Sequence, residues 1–280
     1  MKSDIKIFMC AHRSFDTLPA FAVAVQGGAK INPPIEGTIP DIGDGGSISE
    51  KNPDYCELTV QYYAWKNEQA DYYGFCHYRR FLSFDEKIKK PYLVFGKRLK
   101  KRYSDIIQDE SLVRAQIEAC DVVLPRREYL GVDVYTKFAD AEGCCASDLY
   151  YFEKLIGESY PELSVFAKKY FESCSQYFCN MFVMKREIFF DYCEKLFFLL
   201  DRFDEFKSPD VKVRGDRLDG FLAERFLGAY VEYLRENGKK IREFARLDIN
   251  CPLKKRILFK FCPPENKIRF FVKKLKGDKK

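Results

Sequence analysis

The sequence predicts an α/β domain with a mostly parallel central sheet, followed by a basic C-terminal tail. Three observations support this fold class. Short apolar runs of strand length alternate with longer segments of helical period. The order strand, helix, strand near the N-terminus is typical of a right-handed crossover between parallel strands. The length of 280 residues suits one large domain with a small appendage, which we expect at residues 1–250 and 251–280.

The N-terminal half supplies the first crossover. Residues 5–10 form an apolar run rich in β-formers, and residues 72–77 are predicted to form a second, fully buried strand. Between them lies a long loop, residues 26–49, rich in Gly, Pro and Asp. The connecting helix is predicted to begin with Asn52 as N-cap and Pro53 at the first helical position. Its inward stripe contains Tyr55, Leu58, Tyr62 and Trp65.

The C-terminal half continues the alternation. Helices are predicted over residues 104–120, 147–156, 161–173, 185–206 and 216–236, and strands over residues 121–124 and 177–184. The 11 cysteines have irregular spacing without a Cys-x-x-Cys motif, which indicates reduced thiols. No stretch reaches the ~20 apolar residues of a transmembrane helix. The first residues lead directly into a strand, so we expect no signal peptide and a cytoplasmic protein.

The positive charge of the chain is concentrated in its tail. Basic residues exceed acidic residues by 9 between Lys254 and Lys280, whereas the whole chain carries +6. The main domain is therefore slightly acidic, and we expect no nucleic-acid partner. The tail interleaves Phe, Ile and Leu with Lys and Arg, a pattern typical of segments that lie on an anionic membrane surface. The alternative is a disordered basic terminus, because Pro252, Pro263 and Pro264 interrupt any long helix.

The first candidate site follows the second strand. The segment Gly-Phe-Cys-His-Tyr-Arg-Arg-Phe places four polar residues in succession at the predicted strand end: His77, Tyr78, Arg79 and Arg80. Ligands of open α/β sheets bind beyond the carboxyl ends of strands, where two guanidinium groups could hold a pyrophosphate. The alternative is that the arginines form structural salt bridges and His77 is a core residue. The other histidine, His12, also follows a predicted strand, which favours a site.

Two further segments carry polar candidates. Glycines beside Asp44 and Glu50 permit close backbone approach to a ligand, and the helix start at Asn52 offers free N–H groups to an anion. The alternative is an ordinary turn before a capped helix. Asn180, beside Met181 in a predicted apolar strand, needs a partner for its amide. Either an internal hydrogen bond or a polar substrate would supply that partner.

Carboxylates outside these segments give weaker candidates. Arg217 and Glu224 lie seven residues apart on a predicted helix, so they share a face. A carboxylate near an arginine could act as a base, and the alternative is a solvated helical face. The sequence has no Asp-x-Asp motif for Mn²⁺ or Mg²⁺. The nearest pattern is Asp140-Ala-Glu142, and hard cations accept either carboxylate.

Four segments resemble a bacterial domain-of-unknown-function family from capsule, exopolysaccharide and lipopolysaccharide gene clusters, often described as glycosyltransferase-like. They begin at residues 48, 74, 180 and 220 and read ISEKNPDYCELT, GFCHYRRF, NMFVMK and GFLAER. With the first strand, the resemblance extends over residues 4–247. It implies a single Rossmann-like, GT-A-like domain of the nucleotide-sugar transferases. It also implies transfer of galactofuranose or another hexose from a UDP-sugar to a lipid-linked or oligosaccharide acceptor.

The resemblance and the strand positions together assign the candidate residues. The catalytic candidates are Glu224, Asp148 and His77, and the arginines after His77 would offset charge on the leaving diphosphate, with or without a metal ion. Family members usually have a His a few residues before the Asp that matches Asp148. Residues 142–147 contain none, so an altered substrate or a weaker activity is expected. Donor-binding candidates are Ala11, His12, Asp44, Glu50, Asn52, His77, Tyr78, Arg79 and Arg80, and acceptor-binding candidates are Asn180, Met181 and Arg217.

Two other functions are compatible with the sequence. A non-catalytic scaffold of the polysaccharide assembly machinery would bind a nucleotide or a sugar without turnover. An RNA-binding protein would use the basic tail and would lose RNA on truncation at Leu253. The acidic balance of the main domain counts against RNA.

Overall fold

The computed structural model describes residues 2–94, 107–141, 144–207 and 217–249. The strands are β1 (Ile5–Ala11), β2 (Ala22–Gln26), β3 (Ile39–Pro40), β4 (Tyr72–His77), β5 (Arg80–Leu82), β6 (Tyr92–Val94), β7 (Val122–Pro125), β8 (Glu128–Tyr129), β9 (Ser175–Gln176), β10 (Phe182–Lys185), β11 (Ile241–Phe244) and β12 (Arg246–Asp248). The helices are α1 (Asn52–Tyr55), α2 (Leu58–Asn67), α3 (Glu110–Glu118), α4 (Val134–Ala139), α5 (Ala146–Ser159), α6 (Pro161–Phe171), α7 (Arg186–Phe206) and α8 (Leu218–Glu236).

A central sheet organises these elements, with seven of its strands in the order β11-β7-β10-β4-β1-β2-β3. β1 pairs in parallel with β2 and β4, β2 pairs in parallel with β3, and β7 pairs in parallel with β11. β10 is inserted antiparallel between β4 and β7. β5, β6 and β12 extend the sheet off this path. The mostly parallel α/β sheet that the sequence predicts is confirmed.

Both faces of the sheet are covered by apolar layers, as a parallel sheet requires. Successive side chains of a strand point to opposite faces, and β1 shows this directly. Phe8 and Cys10 belong to the larger core, which includes residues of α2 and α5 to α8. Ile7 and Met9 belong to the smaller core, which includes residues of α3, β5 and β12. The mainly apolar character of residues 5–10, interrupted only by Lys6, therefore reflects burial on both sides.

The packing of α8 against α6 depends on a glycine. A Cβ atom built on Gly228 would lie 1.9 Å from Cζ of the buried Tyr170. The Tyr170 hydroxyl accepts a hydrogen bond of 2.8 Å from the backbone N–H of Tyr177, so the ring has little freedom to move. Glu224 lies one helical turn before Gly228 on α8. This close contact therefore fixes the helix that carries a candidate catalytic carboxylate.

The start of the first helix differs from the prediction. A 3-10 turn over Ser49–Lys51 precedes α1, so the N-cap is Lys51 and Asn52 already lies inside the helix. The Asn52 side chain makes no capping bond and instead donates to the carbonyl oxygen of Cys56 at 2.7 Å. The helix is also broken, because Cys56 has a left-handed backbone with φ of 52°. α2 then begins at Leu58.

The predicted strand over residues 177–184 is also shorter than expected. Cys179 and Asn180 have φ values of 79° and 44°, so the chain turns there and β10 begins only at Phe182. Asn180 therefore lies in a turn and not in a strand. Parts of the helices predicted from residues 104 and 216, the residue Glu142 and the whole tail 251–280 lie outside the described residues. Within the described residues, no helix is long and apolar enough to cross a bilayer.

Candidate functional site

The residues of the candidate site meet where β4 ends. His77 is the last residue of β4 and is 8 % exposed. Its Nε2 atom lies 2.9 Å from the carbonyl oxygen of Cys179. A carbonyl only accepts, so Nε2 carries the proton and Nδ1 is left as an acceptor. Burial, aided by the charge of Arg80, lowers the pKa of His77 to about 4, so the ring is neutral at neutral pH.

Two carboxylates lie beside this histidine, and we call Glu57 and Glu224 the carboxylate pair. Their side chains are only 14 % and 13 % exposed. Glu57 Oε1 lies 3.9 Å from His77 Nε2, which is a contact with a neutral ring and not a charged pair. Burial raises the pKa of Glu57 and of Glu224, and the charge of Glu57 further raises that of Glu224. The pair is therefore more basic than carboxylates in water.

The carboxylate pair is held by a strained turn. Glu224 Oε1 accepts a 2.7 Å hydrogen bond from the backbone N–H of Cys179. Asn180 donates its side-chain amide to Glu57 Oε1 at 2.9 Å and to the carbonyl oxygen of Gly220 at 3.0 Å. Two consecutive non-glycine residues in the left-handed region cost of order 1–3 kcal/mol each and persist only where surrounding bonds impose them. Such strain is typical of functional sites.

Two arginines act on the pair from α8 and its start. Arg225 donates to Glu224 Oε2 at 2.9 Å. Arg217, with φ of 81°, is exposed and hydrogen-bonds the Cys56 side chain, and its positive charge lowers the pKa of Glu57. Arg217 and Glu224 thus act on one site, although Glu224 faces the interior and not a solvated helical face. Met181, the neighbour of Asn180, is fully buried.

The two arginines after His77 have different surroundings. Arg79 is exposed, and its guanidinium carbon lies 5.5 Å from the centre of the Tyr78 ring. Arg80 donates from Nε to Asp248 Oδ1 at 3.1 Å, and Asp248 also accepts from Arg246. Arg80 therefore already has a structural ion pair, as one of the alternatives predicted. Arg79 presents its guanidinium to solvent at the strand end.

Two of the candidates for nucleotide binding, Ala11 and His12, lie at the end of β1. His12 is exposed and its ring meets Tyr78 edge-on at 5.0 Å, where partial desolvation lowers the pKa of His12. Ala11, the last residue of β1, is fully buried. These residues lie at the same sheet edge as His77, since residues 10 and 77 are partners in the parallel β1–β4 register. Both histidines therefore lie where strands end at the same edge of the sheet.

Two of the three loop candidates, Glu50 and Asn52, have bonds within the protein. Asp44 is exposed, Glu50 is exposed and bonds Lys30 at 3.0 Å, and Asn52 is engaged with Cys56. The sequence interpretation missed Asp41, which is fully buried and organises this loop. Its carboxylate accepts from the backbone N–H groups of residues 28 and 29 at 2.8 and 3.0 Å and from the hydroxyl of residue 49. An Asp between glycine-rich segments was the available sequence signal.

Asp148, the second candidate base, occupies a capping position. Its Oδ2 atom accepts a 2.8 Å hydrogen bond from the backbone N–H of Cys145, which closes a capping box at the start of α5. Glu57, which the sequence interpretation did not select, joins His77, Asn180 and Glu224 instead. It lies inside the segment of residues 48–59 that carries the family resemblance, and this position was the signal that could have identified it.

Among the described residues, one acidic group has metal-ligand spacing: Asp54, Asp204 and Asp219. The ammonium group of Lys207 bonds all three, at 2.6 Å to Asp54 and 2.7 Å to Asp204. Lys207 is 4 % exposed, and burial raises the pKa of Asp219 to about 8. We call these four residues the aspartate–lysine cluster. The lysine already supplies the cation that a metal ion would supply.

Comparisons with known proteins agree with this architecture. The structure is similar to the apo structure of WbbM, a bifunctional glycosyltransferase, with a TM-score of 0.78 and 30 % sequence identity. The match covers 89 % of this chain and 46 % of that chain, so this chain spans about half the length of WbbM. It supports a GT-A-like Rossmann domain. A search of curated proteins finds no significant match.

The family comparison covers most of the chain. Residues 6–236 match the family described as domain of unknown function DUF4422. This span includes all four segments on which the resemblance was based, as well as His77, Asn180 and both members of the carboxylate pair. The chain belongs to the DUF4422 family.

Proposed function

We propose that this protein is a glycosyltransferase that moves a hexose from a UDP-sugar to a lipid-linked or oligosaccharide acceptor during surface polysaccharide synthesis. Galactofuranose is the first hexose to test. The observation that carries the proposal is the similarity to a glycosyltransferase over 89 % of the chain. The buried carboxylate pair at the carboxyl end of β4 supports it, because that is where open α/β sheets bind their ligands.

Glu224 is the proposed general base. It would take the proton of an acceptor hydroxyl while that oxygen bonds to the anomeric carbon of the sugar. The bond from that carbon to the diphosphate oxygen breaks, and UDP leaves with the electron pair. Burial raises the pKa of Glu224 towards the range in which a carboxylate is an effective base. Asn180 and the Cys179 backbone would keep the pair in position.

Arg79 is the proposed contact for the diphosphate. Its exposed guanidinium lies at the end of β4, and it could offset the charge that develops on the leaving group. Arg80, whose guanidinium bonds Asp248, would add positive charge next to Arg79. His77 is neutral, so its proposed role is a hydrogen bond through Nδ1 and not proton donation.

The first experiment is calorimetric titration with UDP, UDP-galactose, UDP-galactofuranose and UDP-glucose, with and without Mn²⁺. Wild type is compared with Arg79→Ala and with Arg202→Ala, which removes an arginine that lies over Phe198 on α7. Loss of a charge-assisted contact should weaken UDP binding about 10- to 100-fold in Arg79→Ala and leave Arg202→Ala unchanged. No binding of any uridine nucleotide by the folded wild type would refute the donor assignment.

Turnover separates the enzyme from the alternative scaffold. A scaffold would bind the nucleotide but release no UDP from a UDP-sugar, and its binding would be indifferent to Glu224→Gln. A transferase releases UDP when an acceptor is present. Coupled detection of UDP with lipid-linked and free oligosaccharides therefore distinguishes the two functions.

We further propose that the enzyme works at the inner face of the membrane, where residues 251–280 contact anionic lipid. The support is the basic and aromatic composition of that segment, at about 1 kcal/mol per basic residue near the surface. Full-length protein should sediment with vesicles containing phosphatidylglycerol but not with phosphatidylcholine vesicles. A chain ending at residue 250 should remain in the supernatant with both, and sedimentation of that shorter chain would contradict the proposal.

A further inference from the structure

A cleft lies between α4, α5 and α6, on residues that the candidate site does not use. Its volume is about 790 Å³. This is within the range of about 300–1,000 Å³ of pockets that hold small ligands. Six of its lining side chains define its chemistry: Tyr135, Tyr150, Glu153, Asp140, Lys168 and Glu172.

An exposed aromatic ring forms one wall. Tyr150 is 54 % exposed, which is unusual for a large ring in a domain whose other aromatics are mostly buried. It stacks on the buried Tyr135, with ring centres 4.3 Å apart and planes inclined by 19°. The Tyr135 hydroxyl bonds Glu153, so the lower ring is fixed as well. The pair therefore presents a rigid apolar face at little further cost in conformational entropy.

Oxygen acceptors surround this aromatic wall. Four carboxylates line the cleft, from Asp133, Asp140, Glu153 and Glu172, against the single ammonium group of Lys168. Even with Lys137, which pairs with Asp140 at 3.2 Å, acidic groups remain in excess. Ionised carboxylates only accept hydrogen bonds, so they match ligands rich in hydroxyl donors. The negative field disfavours phosphates, nucleotides and acidic sugars.

An apolar face and a ring of acceptors together fit a sugar, whose C–H face packs on an aromatic ring and whose hydroxyls donate outward. Buried contacts also link α4, which forms one wall of the cleft, to the candidate site. Phe138 on α4 lies under the guanidinium of Arg225, 5.1 Å from ring centre to carbon, and Arg225 bonds Glu224. Tyr135 and Thr136 of the same helix line the cleft.

We infer that the cleft between α4, α5 and α6 is a binding site for a neutral oligosaccharide, and that it holds the acceptor glycan. Only the second half of this statement rests on the proposed transferase function. The cleft holds the chain behind its growing end, and the carboxylate pair acts on the terminal hydroxyl. Its negative charge selects neutral glycans over acidic ones and keeps the nucleotide donor out of this site.

The test is calorimetry and ligand-observed NMR with neutral trisaccharides of galactose, glucose and mannose, and with tri-galacturonic acid as the acidic counterpart. Wild type should bind at least one neutral trisaccharide, and the acidic one at least about tenfold more weakly. Tyr150→Ala should lower the affinity for the neutral sugar about tenfold while UDP binding is unchanged. Tyr129→Ala, at a 40 % exposed tyrosine on β8, should bind as wild type does.

The inference is overturned if no neutral trisaccharide binds up to millimolar concentration, or if Tyr150→Ala binds as tightly as wild type. Glu172→Ala serves if Tyr150→Ala fails to fold, since Glu172 is exposed, and it should also weaken binding about tenfold. If the protein binds the glycan but no UDP, the proposed UDP-sugar donor is refuted and the assignment of the cleft stands. Turnover that is unaffected by Tyr150→Ala would leave the transferase in place and remove the acceptor role of the cleft.

Discussion

Two acidic clusters are built from the same two parts of the chain, yet they differ in charge balance. Asp54 and Glu57 lie three residues apart at α1, and Asp219 and Glu224 lie five residues apart on α8. The aspartates surround Lys207, whose ammonium group bonds three carboxylates. The carboxylate pair instead accepts from an amide, a backbone N–H and one arginine.

This difference distinguishes a cluster that stabilises the fold from a carboxylate pair that can act as a base. Lys207 ties the end of α7 to α1 and to the start of α8, so the aspartates have their cation and their geometry fixed. The carboxylate pair lies at a strand end beside a neutral histidine and retains a raised pKa. Three aspartates that share one buried ammonium group are part of the fold, whereas the carboxylate pair, in which Arg225 bonds only Glu224, can still take a proton from a substrate.

The largest expected effect tests the chemical role of the pair. Glu224→Gln keeps the shape and the hydrogen bond from Cys179 but removes the base, so kcat should fall about 10²- to 10⁴-fold. UDP release in the presence of acceptor measures this. Glu236→Gln, at an exposed position on the same helix, is the matched control and should be unaffected. A wild-type kcat for Glu224→Gln would move the role of base to Glu57.

The next effect tests the structural role of the aspartate–lysine cluster. Lys207→Met leaves buried carboxylates without their cation and should lower the free energy of unfolding by about 3–5 kcal/mol. Urea unfolding measures the change. Lys154→Met removes an exposed ion pair with Glu158 and should cost less than about 1 kcal/mol. Equal stabilities of the two variants would contradict the distinction between the clusters.

A smaller effect follows from the neutral histidine. Burial holds the pKa of His77 at about 4, against 6.5 for an exposed histidine. Between these pH values the unfolded chain takes up a proton that the folded chain does not, so stability falls as pH falls. From pH 7 to pH 4 the wild type should lose about 3 kcal/mol more than His77→Gln, measured by urea unfolding at each pH. Parallel pH profiles would show that folding leaves the pKa of His77 unchanged.

The sequence predicted the elements whose burial is uniform. β1 and β4 are covered on both faces and read as mainly apolar runs, and α7 and α8 have one apolar stripe each. β11 and β12 were missed, because Arg, Glu and Asp interrupt the apolar pattern that indicates a buried strand. Their strand character comes from pairing with β7 and with β5, which no local pattern contains.

Only part of the candidate site was predicted, because its assembly also depends on tertiary structure. His77, Asn180 and Glu224 were selected from local chemistry, and the fold brings them together around Glu57. Glu57 was missed because a continuous helix from residue 52 does not place it inward. The left-handed backbone of Cys56 breaks that helix, and the side chain of Glu57 is largely buried. Helical periodicity in a sequence does not predict that one residue adopts a left-handed φ angle.

The position of β10 in the chain determines when the central sheet can be completed during protein synthesis. β4 and β7 do not pair with each other, and β10 is the strand that joins them in the described sheet. A ribosome completes β4 and β7 by residue 125 but does not deliver β10 until residue 185. At about 5–20 residues per second, the edges of both strands therefore await their partner for at least about 3 s. A nascent chain of this protein passes through a period in which its central strands need protection from wrong partners.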